Sequence, residues 1–158
     1  MTLYCPECWQ ELSRERPACL PSVEELFSGR EKEHIANITR ALTHHKSEVR
    51  RRAIHLAGER RMKQVVDTLS SLYRETTDPF QAMEVIAALG KIGGELAFLI
   101  ITEALHHPAF IVRREAVKAL AGFQNLTVPA FLQQALKDPS ASVREEAALA
   151  LANRMLAA

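Results

Sequence analysis

The chain is poor in the residues that build sheets and disulfide frameworks. It has one Trp, two Tyr and six Phe among 158 residues, and Ala and Leu dominate, a balance that suits close-packed helices rather than strands. Its three cysteines, Cys5, Cys8 and Cys19, crowd at one end. They make no disulfide framework and read as thiols of a reducing compartment. The longest apolar run, Leu96 to Ile101, falls far short of the roughly 18 residues of a membrane span. The first residues, Met1-Thr2-Leu3-Tyr4-Cys5, lack the basic and apolar regions of a secretory signal, so the expectation is a cytoplasmic protein. P-loop, dinucleotide-binding and nucleophile-elbow motifs are missing, which takes away the sequence basis for those chemistries.

What the chain does have is a period. Val143-Arg144-Glu145-Glu146-Ala147-Ala148-Leu149-Ala150-Leu151-Ala152 occurs in worn form from Val49 to Gly58, from Gln81 to Gly90 and from Val112 to Ala121. The segment starts step by 32, 31 and 31 residues, and a fixed period of about 20 to 50 residues is the signature of a solenoid. Three copies open Val-Arg and carry Ala at the fifth place (Ala53, Ala116, Ala147), whereas the second opens Gln81-Ala82 and has Val85 there.

Punctuation around these segments predicts helical hairpins. Apolar spacing and breakers place helices at about 31–44, 47–58, 62–75, 79–90, 95–106, 110–122, 129–137 and 142–156. Ser47 is the expected cap of the second, and Asp78-Pro79 opens the fourth with Pro where its missing N–H costs nothing. Gly58 and Gly90 read as helix ends, Gly93-Gly94 as a turn, and His107-Pro108 and Asp138-Pro139 as breaks. The expected fold is all-α: an α-solenoid of about four hairpins in a domain spanning 23–158, after a short cysteine-containing segment, 1–22.

That segment carries a C-x2-C knuckle, Cys5-Pro6-Glu7-Cys8, and ten residues later Cys19-Leu20-Pro21-Ser22. Two such turns aim four thiolates at one tetrahedral zinc, and so few apolar residues lie here that metal would have to stabilise the fold. Ser22 stands where the fourth Cys belongs. His34, Glu24, a water or a second chain would complete the zinc shell; the other reading is a knuckle without metal. Ser22 and Glu25 also form an S-x-x-E capping box for a short helix ended by Gly29.

The repeats resemble HEAT repeats, specifically the short type found in phycobilisome bilin lyases, whose second helices carry Val-Arg, small Ala positions and a terminal Gly after Asp-Pro. Residues 138–152 carry the pattern best. The front end is similar to small zinc ribbons that precede such repeats in some bacterial proteins. The resemblance implies that the Arg after Val pairs with the turn Asp of its own or a neighbouring hairpin, so Arg50, Arg113 and Arg144 are expected to be structural, with Asp138 matched to Arg144. Deoxyhypusine hydroxylase also uses such repeats and holds two irons through His-Glu pairs. No His-Glu dipeptide occurs in this chain, and no enzyme activity is expected.

The surface reading is a binding scaffold. Taking the fourth, seventh and eleventh places of each copy as the concave side gives Arg52, His55, Glu59; Glu84, Ala87, Lys91; Glu115, Lys118, Gly122; and Glu146, Leu149, Asn153. With Arg51 and Arg114 one place earlier, these form a strip, basic at its first end and acidic beyond, that is expected to hold a protein partner. The competing reading of each residue is a solvated helix face. Net charge is +1, yet residues 30–63 hold ten Lys or Arg against four Glu, so nucleic-acid phosphate is the alternative ligand of the first repeat. Helix spacing scatters Arg50 to Arg52 and few aromatics are available for stacking, which weighs against it. An accessory role beside a bilin-lyase-like enzyme is the second alternative. The end, Met155-Leu156-Ala157-Ala158, lacks a polar cap and is expected to pack on another chain.

Overall fold

The computed structural model describes residues 31–156. Among them run eight α-helices and no strand: α1 (Glu31–Leu42), α2 (Ser47–Glu59), α3 (Val66–Glu75), α4 (Pro79–Ile92), α5 (Glu95–Ala104), α6 (Phe110–Ala121), α7 (Val128–Ala135) and α8 (Ala141–Leu156). The all-α solenoid expected from the period is what forms. The knuckle cysteines, the capping box at Ser22, Gly29, Ala157 and Ala158 lie outside the described residues.

The chain divides into two compact units within α2, one ending at Ala53 and the other starting at Ile54. In the first, α1 buries Ile38, Ala41 and Leu42, and the opening turns of α2 bury Val49 and Ala53. In the second, α3 pairs with α4, α5 with α6 and α7 with α8, making three hairpins. The second helices α4, α6 and α8 lie in sequence against one another, and α3 lies against α5.

Each helix buries one stripe. Val66, Leu69 and Tyr73 do so on α3, and Val112, Ala116, Val117 and Leu120 on α6. Leu69, Ile86, Leu89, Ile100, Ile101, Leu120 and Leu132 are closed off from water, each worth about 1.5–3 kcal/mol relative to exposure. Phe98 joins two neighbours, its ring 5.4 Å from Phe123 and 6.2 Å from Phe131.

Two glycines do a different job from the one expected. α2 runs one residue past Gly58 and α4 two past Gly90, so neither glycine ends its helix. Both are sites of close approach. A Cβ on Gly58 would stand 3.0 Å from Ala88 Cα, and one on Gly90 would stand 2.8 Å from Ala119 Cβ. In both pairs the tenth place of one copy receives the eighth place of the next, so the second helices run parallel with a constant offset. The turn after α2 is instead made by Arg61, a non-glycine at φ 49°. Its N–H reaches Gly58 O at 3.1 Å, and that of Met62 reaches Ala57 O at 3.0 Å, the paired bonds of a left-handed helix end. A 3-10 turn, Lys63–Val65, then leads into α3, where continuous helix was expected from residue 62. Gly93 and Gly94, at φ 73° and 96°, make the predicted turn.

Candidate functional site

The turn before each second helix is built the same way in all four copies. Five places before the copy starts stand His44, Thr76, His107 and Asp138. Each accepts the backbone N–H two residues on: Lys46 N–H to His44 Nδ1 at 3.1 Å, Asp78 N–H to Thr76 Oγ1 at 3.3 Å, Ala109 N–H to His107 Nδ1 at 3.1 Å and Ser140 N–H to Asp138 Oδ1 at 2.7 Å. His44 and His107 are thus side-chain acceptors within these turns. Asp78 is an N-cap as expected, taking Phe80 N–H at 2.9 Å.

The three Val-Arg arginines lock the same turns. Arg50 Nη1 donates to the carbonyls of His44 and His45 at 2.7 and 3.0 Å. Arg113 Nη1 donates to those of His107 and Pro108 at 2.9 and 2.8 Å, and Arg144 Nη1 to those of Asp138 and Pro139 at 2.8 and 3.0 Å. One expectation is corrected: the Asp138 carboxylate is held by Arg113 of the neighbouring hairpin, through Nε at 2.7 Å and Nη2 at 2.9 Å. Arg144 takes the carbonyl of Asp138 instead. The hydrogen bonds to Asp138 raise the Arg113 pKa, and those from Arg113 lower that of Asp138. Ordering the turns is thus the work of these arginines.

The strip residues are unequally accessible: Glu115 has 13% of its side chain exposed, and one carboxylate oxygen of Glu84 is shut off from water. Arg51, Arg52 and His55 are exposed on α2; Lys91, Arg114 and Lys118 are exposed, and Glu84, Glu115 and Glu146 half-buried, on α4, α6 and α8. Glu84, Glu115 and Glu146 hold the fourth place on three neighbouring second helices. Lys91 Nζ meets Glu59 Oε1 at 2.6 Å, tying the eleventh places of two copies and lowering the Glu59 pKa. Lys118 stands 3.8 Å from Glu115, and Arg114 Nη1 donates to Ser142 Oγ at 3.4 Å. Arg154 caps the end of α6 through the carbonyls of Ala121 and Phe123.

Sequence reading placed Leu149 in the strip and missed two further exposed apolar residues, Phe80 and Phe110. Phe80 is 65% exposed on α4, Phe110 47% on α6 and Leu149 57% on α8. Phe80 lies four residues before Glu84 and Phe110 four before Arg114, so each shares a face with a strip residue. A step of one turn toward the helix start from Glu84 and from Arg114 reaches Phe80 and Phe110. Met155 and Leu156 are also exposed, at 81% and 87%.

No group of three or more His, Cys, Asp or Glu side chains able to hold a metal ion occurs among the described residues. His34, one of the candidates for a fourth zinc ligand, is half-exposed in the first turn of α1. No described helix is long and apolar enough to cross a membrane.

Tandem hairpins with close-packed second helices define a helical-repeat protein. The profile of the HEAT repeats matches residues 33–108 and 99–157, and the chain belongs to the HEAT repeat family. Among curated proteins no match to the chain is found.

Proposed function

We propose that this protein is a non-enzymatic scaffold that holds a protein partner along the face presented by its second helices. The observation that supports the reading is the set Phe80, Phe110 and Leu149. Scattered exposed apolar residues are ordinary on a protein surface, but these stand on all three second helices of the larger unit, which also carry Glu84, Glu115 and Glu146. Apolar points rimmed by charge mark interaction surfaces, and hairpins fixed by arginine-locked turns offer that surface already ordered, which lowers the entropic cost of docking.

Affinity capture from the native cell tests the reading. Phe80→Ser with Leu149→Ser should lose the captured protein, whereas Leu96→Ser with Leu99→Ser, on the exposed side of α5, should keep it. A third variant, Arg51→Glu with Arg52→Glu, reports on the basic first repeat. Retention of the partner by the Phe80/Leu149 variant would overturn the proposal. So would capture of nucleic acid that is lost steeply with salt and abolished by the arginine reversals.

A further inference from the structure

We infer that the turns leading into α2 and α6 are acid-sensitive joints, released when His44 and His107 take up a proton, while the turns leading into α4 and α8 are not. The inference rests on the fold and is independent of the partner surface. All four turns use one acceptor in one register, but its chemistry alternates: imidazole, hydroxyl, imidazole, carboxylate. A neutral imidazole accepts at Nδ1 only as the tautomer with its proton on Nε2, and a protonated one has no acceptor left. Threonine needs no proton change to accept, and Asp138 is held as a carboxylate by Arg113.

The surroundings of His44 oppose a second positive charge. His44 stacks on His45 at 4.3 Å between ring centres, and Arg50 lies on its carbonyl at 2.7 Å. Partial burial, followed by His45, Lys46 and Arg50, lowers its pKa from the ordinary 6.5. Its contribution to stability is therefore complete above that value and is lost as pH falls through the lowered one. Around His107, Tyr73 of α3 stands 6.3 Å away ring to ring, with Glu103 of α5 beside that tyrosine. Arg113 of α6 holds the His107 carbonyl at 2.9 Å and leads on to Asp138. Protonation of His107 would both release Ala109 N–H and set a cation against Arg113.

Amide exchange by NMR on the whole chain tests this, with protection factors corrected for the intrinsic pH dependence of exchange. Between pH 7.5 and 5.5 the protection of Ala109 and Lys46 should fall about five-fold or more, the weight of one lost cap. Ser140, bonded to Asp138, and Thr127, bonded to Asn125 Oδ1 at 2.9 Å, should hold within two-fold. His107→Asn, which supplies an acceptor indifferent to pH, should flatten the response at Ala109. Nitrogen shifts of the wild-type imidazoles at pH 7.5 should show Nδ1 bare. A proton on Nδ1 of either ring, or equal loss of protection at Ala109 and Thr127, would overturn the inference without any variant having to fold.

Discussion

Arg113 and Asp138 belong to different hairpins and are joined by two parallel hydrogen bonds of 2.7 and 2.9 Å, with 13% and 10% of their side chains exposed. The same guanidinium holds the carbonyls of His107 and Pro108, and the same carboxylate takes Ser140 N–H. One ion pair therefore fastens two successive turns of the larger unit to each other. Its geometry is the bidentate fork that arginine makes and lysine does not.

Arg113→Ala should be the costliest surface-proximal substitution in the chain, at about 2–4 kcal/mol, because it strands a largely buried carboxylate as well as two carbonyls. Arg144→Ala removes the equivalent carbonyl bonds at an exposed position and should cost about 1 kcal/mol. Urea titration of the two variants checks the ordering. Equal losses would mean that the inter-hairpin fork adds nothing to the turn lock.

The same pair sets the acid limb. Hydrogen bonding to Arg113 lowers the Asp138 pKa below its ordinary 3.8. Its stabilisation is thus present above that value and drains away as pH falls through the lowered one, because the unfolded chain then binds more protons than the folded one. Asp138→Asn should be less stable than the parent at pH 7 and should show a shallower loss of stability below about pH 4. Melting midpoints from pH 7 down to pH 2.5 would show the two curves converging.

Helix placement was legible because its signals are local. Asp78-Pro79, Gly93-Gly94 and Asp138-Pro139 act on the backbone within a residue or two of themselves, and α4 begins at Pro79 and α5 at Glu95 where those signals point. The partner of Asp138 was not legible, since Arg144 is near in sequence while Arg113 is near only after α6 and α8 have packed. Gly58 and Gly90 were misread for a related reason. A glycine near a helix end looks the same in sequence whether it frees the backbone or admits a neighbour. Phe80 escaped notice because its apolar character matched the expected core pattern, and only packing shows that its face lacks a cover among the described residues.

Gly90→Ala separates the two roles of glycine. In an open helix the change would gain about 1 kcal/mol from helix propensity. At this position the new methyl would stand 2.8 Å from Ala119 Cβ, and forcing α4 and α6 apart should cost about 1–3 kcal/mol. A net loss of stability is expected, and Ala119→Gly in the same chain should restore part of it, a coupling that a double-mutant cycle measures. An additive cycle would place the strain elsewhere.

Arg61→Gly should move stability in the opposite direction. Arg61 occupies a left-handed backbone at φ 49°, where a side chain costs about 1–2 kcal/mol and glycine is free of the clash. It lies just past the end of α2, so the usual penalty of glycine inside a helix does not apply. Its side chain is exposed, and the bonds that define the turn, Arg61 N–H to Gly58 O and Met62 N–H to Ala57 O, come from the backbone and survive the change. A gain of about 1 kcal/mol is expected, partly offset by the greater freedom of glycine in the unfolded chain. Paired urea titrations of parent and variant would read it, and a loss would mean that the guanidinium stabilises this turn through contacts stronger than the strain.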